Sequence, residues 1–164
     1  MVTLYAGTNL KEHLRIGPNN NNIEVVMQMT LVLELLGKCG YVHNCISLEN
    51  FCISRDSNTR QMTVSLVGFG RQCRAGGTCY HAYHHNRQYA PYPSPELVGG
   101  GRSITHASDV YSFAQVLQTA FRGHRIGYIT KAWTKRVLGS DCPQERPSLE
   151  ELRKLLEPFY LPQP

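Results

Sequence analysis

The sequence predicts a mainly helical protein with one small β-hairpin, and three stretches carry that reading. Between Ile23 and about Lys38, the positions Ile23, Val26, Met27, Thr30, Leu31, Leu33 and Leu36 fall at helical spacing on one broad face, as in a long, largely buried helix. Between Ser108 and about Phe121, Val110, Phe113, Ala114, Val116, Leu117, Ala120 and Phe121 make a second helix apolar around most of its girth, so it is buried on several sides. Phe51-Cys52-Ile53-Ser54 and Met62-Thr63-Val64-Ser65-Leu66 instead alternate and are β-prone. The polar Arg55-Asp56-Ser57-Asn58 turn between them makes a hairpin.

The remaining elements follow in chain order. Gly7-Thr8-Asn9 reads as a turn before a short helix at Leu10–Arg15, with Thr8 or Asn9 as its cap. Gly17-Pro18 and the run of asparagines after it end that segment, since such residues favour turns. Gly37 and Gly40 are expected to close the long helix. From Gly70 to Pro95 no periodicity survives, and a loop of that length inside one domain is usually functional or mobile. Two further helices are predicted, from about Ile129 to Leu138 and from Leu149 to about Leu156. Ser148 caps the last one, and Glu150 and Glu151 sit near the positive end of its dipole.

Composition narrows the class. With 164 residues, 41% hydrophobic and 18% charged, the chain suits a single globular domain with its own core. No apolar run approaches the roughly 18 residues a membrane-spanning helix needs. The residues from Met1 show no basic stretch followed by an apolar block, so no secretory signal is expected. Six irregularly spaced cysteines and the lack of an N-x-[ST] acceptor point to a reducing, cytoplasmic setting. The net charge of +5 raises the question of an anionic partner, either nucleic acid or an acidic protein face. Basic residues gather at Arg71, Arg74 and Arg87 and again at Arg122, Arg125, Lys131, Lys135 and Arg136, but no interleaved aromatics accompany them, which argues against nucleic acid.

The order of elements is a long helix, then His43-Asn44-Cys45-Ile46-Ser47-Leu48-Glu49-Asn50, the hairpin, Val67-Gly68-Phe69-Gly70, a long loop, Ser94-Pro95-Glu96, and the helix opening Ser108-Asp109-Val110-Tyr111-Ser112-Phe113. This succession resembles the C-terminal lobe of the protein kinase superfamily over nearly the whole chain. His43 to Asn50 has the spacing of the catalytic loop H-R-D-L-x-x-x-N, and Val67 to Gly70 reads as a D-F-G turn. The chain departs from the family where the chemistry lies. Cys45 stands in place of the catalytic aspartate, Gly68 in place of the metal-holding aspartate, and Ser47 in place of the lysine that contacts phosphate in serine/threonine kinases.

The resemblance implies structural roles for the residues that match. His43 and Phe69 correspond to a stacked pair of the regulatory spine, and Asp109 to an acceptor of backbone hydrogen bonds from the catalytic loop. Glu96 and Arg146 correspond to a buried ion pair that ties the activation segment to the last helices. Asn50 binds magnesium in active relatives together with the D-F-G aspartate. With Gly68 there instead, Asn50 is expected to serve only as a hydrogen-bonder within its loop. Cys45 is expected to be a buried, inert thiol, because a group with an ordinary pKa near 8.5 is a poor substitute for a carboxylate base.

Thr3-Leu4-Tyr5-Ala6 resembles the kinase hinge, so the resemblance implies a single kinase-like domain over residues 1–164 without the N-terminal lobe that closes over ATP. Between Phe121 and Ile129 there is too little chain for the family's usual substrate-docking helix. The expectation is a catalytically inactive, pseudokinase-like interaction or regulatory module in signalling. It would need no cofactor or metal, and its partner would be a protein, a kinase among the candidates. Were the chain a fragment of a larger kinase-domain protein, an apolar patch near Leu4, Leu48, Cys52 and Phe69 would be expected to be exposed. One alternative is a fragment of a larger kinase-domain protein whose missing lobe supplies ATP binding. Another is a zinc-binding loop built from Cys73, Cys79, His81, His84 and His85, whose spacing is looser than in zinc modules. Tyr80, Tyr83, Tyr89 and Tyr92 lie in the same loop region as candidates for modification.

Overall fold

Four helices carry the core, and the computed structural model describes them within residues 7–15, 22–77, 91–98 and 103–160. After the short helix α1 (Leu10–Arg15), they are α2 (Asn22–Lys38), α4 (His106–Ala120), α5 (Arg125–Leu138) and α6 (Leu149–Leu156), with the single turn α3 (Pro95–Val98) between α2 and α4. α4 lies along α5, while α2 packs against α6 and the hairpin. Phe51, Phe113 and Trp133 meet at the centre, with ring centroids 6.0 Å and 6.5 Å apart along that series. Leu33, Leu117, Leu152 and Leu156 are fully enclosed around them. The Trp133 indole N–H donates to the Ser148 carbonyl at 3.0 Å, so the largest core side chain also fixes the entry of α6. Ser148 caps that helix, its Oγ accepting from the Glu151 N–H at 3.1 Å. Among the described residues no helix is long and apolar enough to cross a membrane.

The hairpin forms from β3 (Phe51–Arg55) and β4 (Met62–Leu66), antiparallel with Phe51 opposite Leu66. Asp56 Oδ1 closes the turn by accepting from the backbone N–H of Asn58 and Thr59 at 2.9 and 2.7 Å. The outer edge of β4 is not left open. Gln28 on α2 donates to the Met62 carbonyl at 2.9 Å and accepts from the Val64 N–H at 2.8 Å. A third strand, β1 (Thr8–Asn9), pairs antiparallel with β3. β2 (Tyr41–Val42) and β5 (Cys73–Arg74) form a second, two-stranded sheet. Asn9 is both the end of β1 and the cap of α1, its Oδ1 accepting from the Glu12 N–H at 2.9 Å.

Several expectations are corrected. α2 is not buried around its whole broad face. Val26, Met27, Thr30 and Leu33 are buried and Ile23 and Leu36 half-buried, but Leu31 is exposed and so is Leu35 at 63%, because α2 packs on α6 and β4 along one side only. Gly37 does not close α2 but lies inside it. A Cβ there would come within 2.8 Å of the His106 ring at the start of α4. Gly40, at φ +76°, makes the actual exit, its N–H donating to the Gly37 carbonyl at 2.9 Å. α5 starts a full turn before Ile129. Gly127 sits in that turn, where a Cβ would strike the Phe121 carbonyl oxygen at 2.1 Å. The stretch after Gly70 is not wholly irregular, since it contains β5 and runs into α3 at Pro95. Two-residue strands carry no period that a sequence could display.

Candidate functional site

The loop from His43 to Asn50 and the turn from Val67 to Arg71 face one another, and Asp109 holds the loop from beneath. β2 leads directly into His43, and pairing with β5 fixes its direction. In the first turn of α4, the fully buried Asp109 accepts from the His43 N–H at 2.7 Å through Oδ2 and from the Asn44 N–H at 2.9 Å through Oδ1. Burial pushes this carboxyl up to about 7, against the pull of those two N–H groups. Asn44 takes a left-handed backbone with φ +62°, a conformation asparagine tolerates better than most residues. Its side-chain amide reaches the Arg71 carbonyl and the Cys73 sulfur, both at 3.1 Å, joining the loop to the far side of the turn.

His43 is fully enclosed and both ring nitrogens are occupied by the backbone. Nδ1 accepts from the Cys45 N–H at 3.2 Å, which leaves Nε2 to carry the proton and donate to the Val67 carbonyl at 2.9 Å. Burial lowers its pKa, with the Val67 bond pulling the other way. The neutral ring is therefore a structural bridge and has no lone pair to offer a substrate. Phe69 meets it edge-on, with centroids 4.8 Å apart and planes at 69°, rather than in the stacked arrangement expected. The Val67 N–H donates to the Asn50 carbonyl at 2.9 Å, so loop and turn are joined in both directions.

Between them lies an open depression of about 750 Å³, lined by Cys45, Ser47, Glu49, Asn50, Gly68 and Arg71 among others. Asn50 donates its amide to the Cys45 carbonyl at 2.8 Å. This turns Oδ1 toward Gly68, which has φ +83°, and a Cβ built on Gly68 would lie 2.6 Å from that oxygen. The space where a side chain at position 68 would begin is thus filled by the Asn50 carboxamide. Cys45 is half-buried rather than buried, and its thiol pKa is raised by burial, with Arg71 opposing. Ser47 is buried. Among the described lining residues the only acid is Glu49, which pairs with Lys11 at 3.0 Å on the exposed rim. Burial would raise its pKa, but the hydrogen bond from Lys11 and further hydrogen bonds hold it below the usual carboxylate range.

The described lining of the depression therefore presents a neutral thiol, the Ser47 hydroxyl, a neutral amide, the Arg71 guanidinium and one carboxylate already facing an ammonium. Gripping a divalent cation with hard, anionic oxygens asks for more than that set, and so does accepting a proton from an alcohol at neutral pH. Of the apolar patch expected here, only Phe69 is exposed, at 39%. Leu48 is half-buried and Cys52 only 8% exposed, while Leu4 lies outside the described residues.

A second cluster locks α3 to the start of α4. Glu96 and Arg146 form a bidentate pair at 2.7 and 2.8 Å, each side chain 1% exposed. Ser108 Oγ donates to Glu96 at 2.8 Å, while Arg146 also donates to the Ala107 carbonyl at 2.9 Å and stacks over Tyr111 at 4.8 Å. Burial alone would raise the Glu96 carboxyl, but the hydrogen bonds from Arg146 and Ser108 outweigh it and hold the group below its ordinary range.

The sequence reading missed Asn44, Arg71 and Glu49 as parts of the site. A positive-φ position occupied by asparagine is the one local signal that could have found Asn44. Lys11 and Glu49 stand 38 residues apart, and nothing local pairs them. Of the zinc candidates, Cys73 is half-buried and accepts the Asn44 amide, while Cys79, His81, His84 and His85 lie outside the described residues. So do Thr3-Leu4-Tyr5-Ala6, Tyr80, Tyr83, Tyr89 and Arg87, whereas Tyr92 is half-buried against the core. No known protein-family model matches the chain.

Proposed function

We propose that this chain is a protein-kinase-like C-terminal lobe that transfers no phosphoryl group and works as a protein-interaction or regulatory module. Three long-range connections support the likeness: Asp109 beneath the His43–Asn44 backbone, Phe69 against His43, and the Glu96–Arg146 pair. The absence of catalysis rests on two observations. The Asn50 carboxamide occupies the place of a position-68 side chain, and the thiol at position 45 has its proton held by burial. Phosphoryl transfer depends on positioned acids and metal-bridged phosphates, and the described lining of this depression offers a single acid, Glu49. The free cysteines at 39, 45, 52, 73 and 142 suit a reducing compartment, in keeping with a cytoplasmic signalling role.

Thermal unfolding of the purified chain with ATP, with and without magnesium, tests this reading. The expected result is an unchanged midpoint and no labelled phosphate incorporated into the chain or a generic acceptor. A magnesium-dependent rise in midpoint, together with incorporation abolished by Cys45→Ala or Asn50→Ala, would refute it.

A further inference from the structure

A groove of about 1010 Å³ runs between the C-terminal end of α4 and the flank of α5. It lies at the far end of α4 from the depression, since Asp109 and Phe121 are separated by about 18 Å of helical rise. Two glycines shape it. Gly123, at φ +81°, makes the tight turn out of α4, and Gly127 brings α5 against the Phe121 carbonyl with no side chain between. The hydroxyls of Thr130 and Thr134 turn back onto the carbonyls of Ile126 and Lys131, both at 3.0 Å, so these side chains offer little unmet polarity to a ligand.

The charge along the groove is of one sign. Arg122, Lys131 and Lys135 line it, all three exposed, and no acid is among its described lining residues. None of these three takes part in an ion pair among the described residues, whereas Arg136 and Arg153 nearby in sequence pair with Glu151 and Glu157. Like charges without a counter-ion partner among the described residues, set beside a concave, partly apolar wall, create a positive potential that favours an anionic occupant. Lys131 and Lys135 stand one helical turn apart, about 6 Å along the axis. An extended peptide presents alternate side chains on one face every ~6.6 Å, nearly the same interval.

We infer that this groove docks an acidic, extended segment of a partner polypeptide, with alternate carboxylates meeting Lys131 and Lys135 and a third meeting Arg122. A single-stranded nucleic acid fits less well. Such binding relies on several stacking aromatics and on many neutralised phosphates, whereas Tyr128 is the only exposed aromatic among the described lining residues and the cations number three. The inference does not depend on the reading of the depression, because none of these residues touches it.

Fluorescence anisotropy with a short labelled peptide of alternating glutamates and small apolar residues tests this inference. The triple variant Arg122→Gln/Lys131→Gln/Lys135→Gln is compared with Arg15→Gln/Lys38→Gln/Lys154→Gln, which removes the same charge away from the groove. All six side chains are exposed, so circular dichroism should report unchanged folding in both. The groove variant is expected to bind about tenfold more weakly, as the loss of three exposed pairs implies. The control should bind within about threefold of the parent, the range of one weak exposed pair. Equal losses in the two variants, no saturable binding by the parent, or oligouridylate of equal charge competing as well as unlabelled peptide would each overturn the inference.

Discussion

Removing one partner of the Glu96–Arg146 pair should destabilise the protein far more than removing both. Glu96→Ala leaves a guanidinium inside the core that keeps the carbonyls of Ala107 and Ser140 as acceptors, at 2.9 and 3.3 Å, but loses its counter-charge. An uncompensated buried charge of this kind costs about 3–5 kcal/mol. That is a large share of the roughly 5–15 kcal/mol by which domains are stable. For a chain of this size it lowers the thermal midpoint by about 10 °C. Replacing both residues, as Glu96→Met with Arg146→Met, removes the two desolvation penalties together, and its cost should fall to about 1 kcal/mol or change sign. The pair also sets an acid limit. Because the folded Glu96 pKa lies below its unfolded value of 4.5, its contribution is present above that pH and is lost as pH falls through the folded value. Urea unfolding of the parent, both singles and the double at neutral pH and near pH 4 measures all of this. Singles that cost under about 1 kcal/mol, or a double as costly as the two singles combined, would refute the argument.

Two further outcomes are expected. Asp109→Asn points an NH₂ group at one of two buried backbone donors, costing about 1–3 kcal/mol. The parent's folded carboxyl titrates at about 7 against 3.8 unfolded, so its favourable share is full below 3.8 and is lost as pH rises through 7. The stability gap between parent and variant should accordingly narrow between about pH 4 and pH 8, and a gap that stays constant in urea titrations would contradict the assignment. Gly68→Asp places an acid beside Asn50 without making room for it. It forces a side chain onto a left-handed backbone at about 1–2 kcal/mol and drives Asn50 off the Cys45 carbonyl at about 1 kcal/mol more. Calorimetry should show a lower midpoint and kinase assays no activity, and a stabilised variant would be the contrary result.

The helices were legible in the sequence because each one's burial is written along its own residues. Val26 and Leu33, or Phe113 and Leu117, repeat at the helical interval whatever they pack against. Ser148 and the hairpin were equally local, one a capping side chain and the other an alternating pair of runs around a polar turn. That Cys45 and Gly68 are not acids was also legible, since residue identity needs no coordinates. What stayed hidden depends on neighbours distant in the chain. β1 is recognisable as a strand only because β3 lies beside it. The first turn of α5 holds Gly127 because the Phe121 carbonyl occupies the place of a Cβ there. The one-signed groove needs Arg122, at the end of α4, and Lys131 and Lys135, on α5, to face the same hollow. Periodicity reports which side of an element avoids water. Only the packed fold decides what that side meets, how closely, and which charges are left unanswered.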